Sequence, residues 1–508
     1  MSGSPSEELG RRREELGRQA EAAAERQHGR GKFSARERID ALLDPGSFVE
    51  LNPFVEHRAT ALGMDRRRGL GDGVVTGHGT VEGRRICVYS QDFGFMGGSL
   101  GEMHADKICR VMDLAVRTGA PLVGFHDSGG ARIQEGVVSL GGYGEIFRRN
   151  VSASGVVPQI AVIAGPTAGG ASYSPALMDL TVMVEGIATT FITGPRVIKQ
   201  VTGEEVTPEA LGGAETHATI TGTASLKAAS EEEAIQAVRA LLSYLPSNNL
   251  DDPPLYEALE PASSVEGVIP ADPMAAYDIH ELIESVVDAG GFLEIQPDFA
   301  GNTVVGFARL EGRSVGLVAT QPSVMAGTMT IDSSDKVARF VRLCDAFNLP
   351  VITFQDVPGY LPGVDQEHGG IIRHGAKVIY AYAEATVPKV TVILRKSFGG
   401  AYIALGSKHL GADLVYALPQ AEIAVMGAEG AVEIVYRREI EAEPERRGEL
   451  IERYREEFSN PYQAAKLGYV DDVIEEREIR PMLIEAMGVL SNKRVSPHPP
   501  KRHGNMPV

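Results

Sequence analysis

Near-continuous apolar runs, each ending in a glycine-rich loop and then a helical pattern, recur along the chain. Residues 121–125 form one such run; it closes on His126-Asp127, and the loop Ser128-Gly-Gly-Ala-Arg132 opens the next helix. Residues 159–164 form a second run, again followed by a glycine loop and a helix. Strands apolar on both faces and alternating with helices indicate a β/α crossover architecture around a buried sheet. Ahead of them, residues 71–83 alternate and then turn, and residues 85–90 continue the pattern, which predicts a hairpin. Lys107, Ile108, Val111, Met112 and Ala115 carry helical spacing. Residues 193–199 and 211–215 read as further loops and residues 231–245 as a helix. Residues 247–254 are polar and end in Pro253-Pro254, so the domain boundary is expected there, dividing the chain into residues 1–250 and 251–508.

The second half repeats the plan. Residues 304–308 and 315–319 predict a hairpin, 332–347 a helix, and 351–354 and 390–394 strands followed by glycine loops. Pro121 and Pro350, Asp127 and Asp356, Gly77 and Gly306, Gly83 and Gly312, and Lys107 and Lys336 stand 229 positions apart. Pro158 and Pro388, and Gly169 and Gly399, stand 230 apart. So steady an offset marks a duplicated domain. Residues 1–45 read as exposed helix of mixed charge, either a solvated face or a docking surface. Residues 439–457 read as a charged surface helix or arm interrupted at Pro444. The tail from Pro497 is irregular.

A length of 508 residues gives each half room for a substantial core. Apolar runs such as residues 157–164 fall far short of the ~20 residues that cross a bilayer, and no secretory leader is evident. Cys87, Cys109 and Cys344 are far apart and form no CxxC, which excludes a zinc ribbon and a disulfide framework; a cytoplasmic location follows. The net charge of −19 argues against nucleic-acid binding. It leaves room for a small anionic ligand at helix N-termini.

The glycine loops carry the candidate chemistry. Backbone amides at such a turn point outward together, and two of them aimed at one oxygen stabilise an oxyanion. A P-loop, a Rossmann fingerprint and a Gly-x-Ser-x-Gly elbow are all missing. Ser128 is a weak nucleophile candidate, because Val357 replaces it in the second copy. His126 with Asp127 is a weak acid–base candidate; Asp127 and Asp356 are expected to cap the helices that follow. Arg132 is either a phosphate contact or a structural ion pair.

At these residues the sequence resembles the carboxyltransferase β subunits of biotin-dependent acyl-CoA carboxylases of the propionyl-CoA and acetyl-CoA carboxylase type. The likeness covers nearly the whole chain. It includes Ser34-Ala-Arg-Glu-Arg-Ile-Asp40, Asp127-Ser-Gly-Gly-Ala-Arg-Ile-Gln-Glu-Gly136, Leu140-Gly-Gly-Tyr-Gly-Glu-Ile-Phe-Arg-Arg149 and Ser243-Tyr-Leu-Pro-Ser-Asn-Asn249. Asp356-Val-Pro-Gly-Tyr-Leu-Pro-Gly363, residues 376–388, Phe398-Gly-Gly-Ala-Tyr402 and Lys501-Arg-His-Gly-Asn505 continue it. The resemblance implies an α/β protein of two duplicated crotonase-like (ClpP/crotonase) β-β-α superhelix domains. It implies a homohexamer, a trimer of dimers, with active sites at the dimer interface.

It also implies transfer of CO2 from carboxybiotin to the α-carbon of an acyl-CoA, with the biotin ureido nitrogen as the base. The family's two oxyanion holes map to Gly169-Gly170 and Gly400-Ala401. Amides near Gly129, Gly130 and Ala131 and at Gly359 serve as second donors, and Arg132, Tyr402 and Ile403 fall among the substrate-binding positions. One hole would hold the thioester enolate and the other the biotin ureido oxygen. No biotinyl segment is seen, so biotin is expected on a separate biotin carboxylase/biotin carboxyl carrier subunit or domain, with no metal on this chain. Ile403 stands where propionyl-preferring relatives commonly carry Asp, which implies tolerance for acetyl-CoA or longer acyl chains. Two other readings are a biotin-dependent malonyl- or methylmalonyl-CoA decarboxylase subunit and a CoA-binding scaffold without transfer activity.

Overall fold

The computed structural model describes residues 4–495 and 502–507. Of the expected irregular tail, residues 496–501 lie outside the described residues; residues 502–507 form neither helix nor strand. The chain divides into two compact units, Met1–Asp252 and Pro253–Val508.

Each unit is built on one eight-stranded sheet. The first contains β1 (Val49–Glu50), β2 (Val74–Val81), β3 (Arg84–Gln91), β4 (Leu122–Ser128), β5 (Gln159–Ala168), β6 (Leu180–Val184), β7 (Thr189–Phe191) and β8 (Leu226–Ala228). They lie in the order 1-2-3-4-5-6-8, with β7 beside the end of β5. Pairing is antiparallel from β1 to β3 and parallel beyond. The second sheet repeats this plan with β9 (Phe292–Ile295), β10 (Thr303–Leu310), β11 (Arg313–Thr320), β12 (Val351–Val357), β13 (Lys389–Phe398), β14 (Leu414–Ala417), β15 (Glu422–Ala424) and β16 (Asp472–Val473).

The two expected hairpins close through two residues each, Glu82-Gly83 and Glu311-Gly312. All four take left-handed φ, at 51°, 75°, 49° and 72°. This mirror-image turn matches the natural twist of paired strands. An upstream carboxylate secures each turn: Asp44 accepts from the amides of Glu82 and Gly83, and Asp288 from those of Glu311 and Gly312.

Every residue of β4 and of β12 is buried, as continuous apolar runs require. Ile108, Val111, Met112 and Ala115 of the helix Glu102–Thr118 pack with Cys87, Tyr89 and Leu122. A 3-10 turn, Ile133–Glu135, and one α-helix, Val137–Ala153, carry the chain from β4 to β5. The second unit makes the same crossover with two helices, Val364–Gly369 and Ile371–Glu384, broken at Gly370 with φ 95°. Across this crossover the repeat offset grows from 229 to 230, yet the strands keep register, Leu122 beside Gln159 and Val351 beside Lys389.

Two segments read as loops are helical. Pro195–Thr202, Pro208–Gly212 and Ala214–Thr219 are short helices, two of them opening on a proline, whose missing N–H is no loss at a first helical position. The charged stretch near Glu439 breaks where Pro444 leads one to expect, between the helices Arg437–Ala442 and Arg447–Phe458. The N-terminal segment is a helix, Pro5–His28, that exposes most of its length but buries Ala23 and Gln27 near its end.

Candidate active site

The first pair of glycine loops leaves the sheet side by side. Ser128 at the end of β4 is in register with Thr167 of β5, so residues 129–132 and the 3-10 turn Gly169–Ser172 start from adjacent parallel strand ends. Gly130 takes φ 97°, and a methyl group on it would stand 3.1 Å from the carbonyl oxygen of Ala168. Gly169 takes φ 63°. Both turns therefore depend on residues without a side chain.

Hydrogen bonding sorts the candidate amides. Gly129 N–H donates to Gly97 O at 2.9 Å and Gly130 N–H to Ser128 Oγ at 3.1 Å. Leu100 N–H donates to Gly130 O and Arg132 N–H to Leu100 O, both at 2.9 Å. Between them, the Ala131 N–H is turned away from Leu100, and among the described residues it meets no acceptor. The turn at Gly169 leaves its own first amides, Gly170 among them, without an acceptor inside the helix. Ala131 and Gly170 are thus spare donors at neighbouring strand ends.

The second unit repeats this geometry. Met329 N–H donates to Gly359 O at 3.0 Å and Leu361 N–H to Met329 O at 2.8 Å. The amide between is that of Tyr360, which stands 229 positions after Ala131. β13 ends in the helix Gly399–Ala404, with Gly399 at φ 58°, so Gly400 and Ala401 lie at a helix start with unclaimed amides. Sequence reasoning named Gly359 and missed Tyr360, although the repeat offset pointed to it. An aromatic ring backs each pocket: Tyr143 lies against Gly170, and Tyr360 against Gly375 and Gly400.

Several side chains singled out above are already engaged. The guanidinium of Arg132 is fully buried. It donates to Asp72 Oδ1 at 2.7 Å, Glu135 Oε1 at 2.8 Å and Ser99 O at 2.9 Å. Of its two readings the ion pair is present in the structure, and it anchors the loop from beneath. Ser128 Oγ donates to Gly98 O at 2.7 Å. His126 points into the core against Tyr89 OH at 3.1 Å. Burial pushes its pKa down to about 3, so it stays neutral.

Asp127 and Asp356 do not cap helices; both carboxylates are buried in ion pairs. Asp127 Oδ2 accepts from Lys32 Nζ at 2.5 Å and from Arg38 Nη1 and Gln27 Nε2 at 3.1 Å. Asp356 Oδ2 accepts from Arg395 Nε at 2.7 Å, and its Oδ1 from the Lys396 amide at 3.1 Å. The end of a strand in a buried sheet offers a carboxylate little water, so a cation meets it instead. Tyr402 and Ile403 part company. The Tyr402 ring packs into the small core around Val415 and Ala417, edge-on to His409, whereas Ile403 is 42% exposed beside the glycine turn. Among the described residues, no group of three or more His, Cys, Asp or Glu is placed to hold a metal ion.

Each unit thus presents a set of spare backbone amides, while Ser128, His126, Asp127 and Asp356 are engaged elsewhere. Comparison with known proteins is consistent with it. The carboxyl transferase domain model matches residues 26–506. The propionyl-CoA carboxylase carboxyltransferase subunit of Haloferax mediterranei is 58% identical over 489 residues, 95% of each chain. The methylmalonyl-CoA decarboxylase subunit alpha of Veillonella parvula is 52% identical over 96% of each. The crystal structure of transcarboxylase 12S, a hexamer with methylmalonyl-coenzyme A and methylmalonic acid bound, superposes with a TM-score of 0.97 at 49% identity, covering 100% of this chain and 99% of that one. The mixed α/β units are accordingly crotonase-like.

Proposed function

The chain belongs to the carboxyl transferase domain family, and from that premise we propose that it is the carboxyltransferase subunit of a biotin-dependent acyl-CoA carboxylase. Its substrate is a short acyl-CoA, propionyl-CoA and also acetyl-CoA or a longer chain, giving methylmalonyl-CoA or malonyl-CoA. The observation that carries the reading is the matched pair of spare amide sets, Ala131 with Gly170 and Tyr360 with Gly400 and Ala401, in a molecule whose nearby carboxylates, serine and histidine are all engaged.

Such donors suit the anionic oxygens this reaction needs. Carboxybiotin, when bound, supplies the CO2 and a ureido nitrogen able to take the α-proton. The chain's own part is electrostatic. One amide set would hold the thioester oxygen as it takes on enolate charge, and the other would hold the ureido oxygen of bound carboxybiotin. Each well-placed donor is worth about 10²–10³-fold in rate. The buried ion pairs of Asp127 and Asp356 keep carboxylates from competing for these protons.

The biotin arrives on a separate subunit or domain, a biotin carboxylase/biotin carboxyl carrier partner, and the chain assembles as a homohexamer with its sites at the dimer interface. No described helix is long and apolar enough to cross a membrane, and we place the enzyme in the cytoplasm. The test is biotin-dependent loss of the labelled carboxyl group from malonyl-CoA or methylmalonyl-CoA by the purified chain with free biotin. Loss at equal rate without biotin overturns the reading. The likeness to the Veillonella parvula subunit keeps a second reading in play, a decarboxylase subunit running the same half-reaction in reverse. Carboxylation of propionyl-CoA in a mixture with a biotin carboxylase, carrier protein, ATP and bicarbonate separates the two.

A further inference from the structure

The two units neutralise the same carboxylate from different sources. In the second unit, Arg395 lies on β13 itself, four residues before Gly399, and its guanidinium reaches Asp356 at the end of β12. Arg395 Nη1 also donates to the carbonyls of Asp272 and Ala275, at 2.8 and 2.9 Å. The brace between the two loop-bearing strands is therefore built into one of them.

In the first unit the equivalent position, 230 residues earlier, is Gly165. A methyl group there would overlap Asp127 Oδ1 and stand 2.5 Å from Lys32 Nζ. The space is filled by the N-terminal segment. Lys32 and Arg38 both ion-pair with Asp127, and all three are almost wholly buried. Arg38 Nη2 continues to the carbonyl of Ala164 on β5 at 3.0 Å. Its Nε meets Glu231 Oε1 at 2.6 Å, and Glu231 accepts from the Phe33 amide at 2.6 Å. One guanidinium thus ties the end of β4, which leads to Ala131, to β5, which leads to Gly170.

We propose that Lys32 and Arg38 are positioning residues for carboxyl transfer: from the N-terminal segment they set the spacing of the two strand ends that present the Ala131 and Gly170 amides, the role Arg395 plays in the second unit. This rests on the carboxyltransferase reading. A packing role alone would leave the chemistry of folded protein untouched, whereas a spacing role changes turnover more than substrate binding.

The test compares Lys32→Met, Lys32→Arg and Arg38→Lys in the full-length chain, using biotin-dependent decarboxylation of methylmalonyl-CoA, equilibrium binding of the CoA ester, and amide hydrogen exchange. Lys32→Met and Arg38→Lys are expected to lower kcat about 10- to 100-fold, the usual loss when a supporting contact is removed. CoA ester affinity stays within about twofold, and Lys32→Arg restores most of the rate. Exchange is expected to quicken at residues 129–132 and 165–172 and to stay unchanged at 358–361 and 395–401. Unchanged kcat together with unchanged exchange at residues 129–132 overturns the proposal. If Arg38→Lys does not fold, Lys32→Met alone decides. If the unaltered chain shows no biotin-dependent reaction, the carboxyltransferase reading falls by itself, and the exchange pattern still decides whether the segment braces this loop.

Discussion

Lys107 and Lys336, which stand 229 positions apart, each drive an ammonium group into backbone carbonyls beneath the hairpin of their own unit. Lys107 Nζ donates to the carbonyls of Gly71 and Val74, and Lys336 Nζ to those of Gln296, Phe299 and Thr303. Among the described residues, neither forms a salt bridge with a carboxylate. Burial, the largest influence, pushes both pKa values down to about 8.

A pH signature follows. The unfolded chain holds these protons up to the ordinary lysine pKa of about 10.4, so above pH 8 the unfolded state binds more protons than the folded one. Stability therefore rises with pH over that window, by about 1 kcal/mol per pH unit for each lysine. Urea titrations at pH 8 and 9.5 are expected to show a more favourable change in stability with pH in the unaltered chain than in Lys336→Met. Equal slopes in both proteins would remove the buried ammonium from the account.

Arg132 makes a sharper case. Arg132→Met leaves Asp72 and Glu135 without their cation, and breaking a buried pair from one side costs about 3–5 kcal/mol. The urea midpoint is expected to fall accordingly, while CoA ester affinity of the folded fraction stays within about twofold, because an ion pair costs stability and a phosphate contact costs affinity. Lost affinity with unchanged stability would restore the phosphate reading.

Gly399 and Gly400 are adjacent but should respond differently to an added methyl group. Gly399→Ala forces a side chain into φ 58° and toward the Val425 carbonyl, 3.0 Å from the new carbon, at a cost of about 1–2 kcal/mol. Gly400→Ala meets only the Tyr360 ring, at 3.9 Å. Thermal melts are expected to show a lower Tm for the first and little change for the second. The half-reaction is expected to fall in both, since each methyl sits beside the amides proposed to hold the oxyanion.

Ile403, the exposed side chain beside that turn, is the place to alter acyl preference. Ile403→Asp is expected to narrow the accepted range toward propionyl-CoA, with about 1–3 kcal/mol of discrimination against the others. The kcat/KM values for acetyl-, propionyl- and butyryl-CoA measure it; an unchanged profile sinks the idea.

The duplication, the hairpins and the glycine turns were legible because each is local. A run of apolar residues ending in Asp127 and Ser128 needs only its own neighbours to be recognised as a buried strand. Contacts between distant segments were not legible. Asp127 looked like a helix cap since its partners, Lys32 and Arg38, lie 95 and 89 residues away, with no periodicity linking them. Gly165 follows the run 159–164 with nothing in the sequence to mark it, and only its correspondence with Arg395 shows it as a vacated place. The helix Pro195–Thr202 was hidden by the Gly194-Pro195 punctuation, which reads as a turn until the chain beyond Pro195 is seen to coil.

The one-residue difference between the two crossovers has a consequence for how the copies drifted apart. A strand has parity: adding one residue inside it turns every later side chain over unless a bulge absorbs it. A crossover has none, so length was free to change between β12 and β13 while the flanking strands kept the same register. The break at Gly370 lies in the stretch where length was free to change.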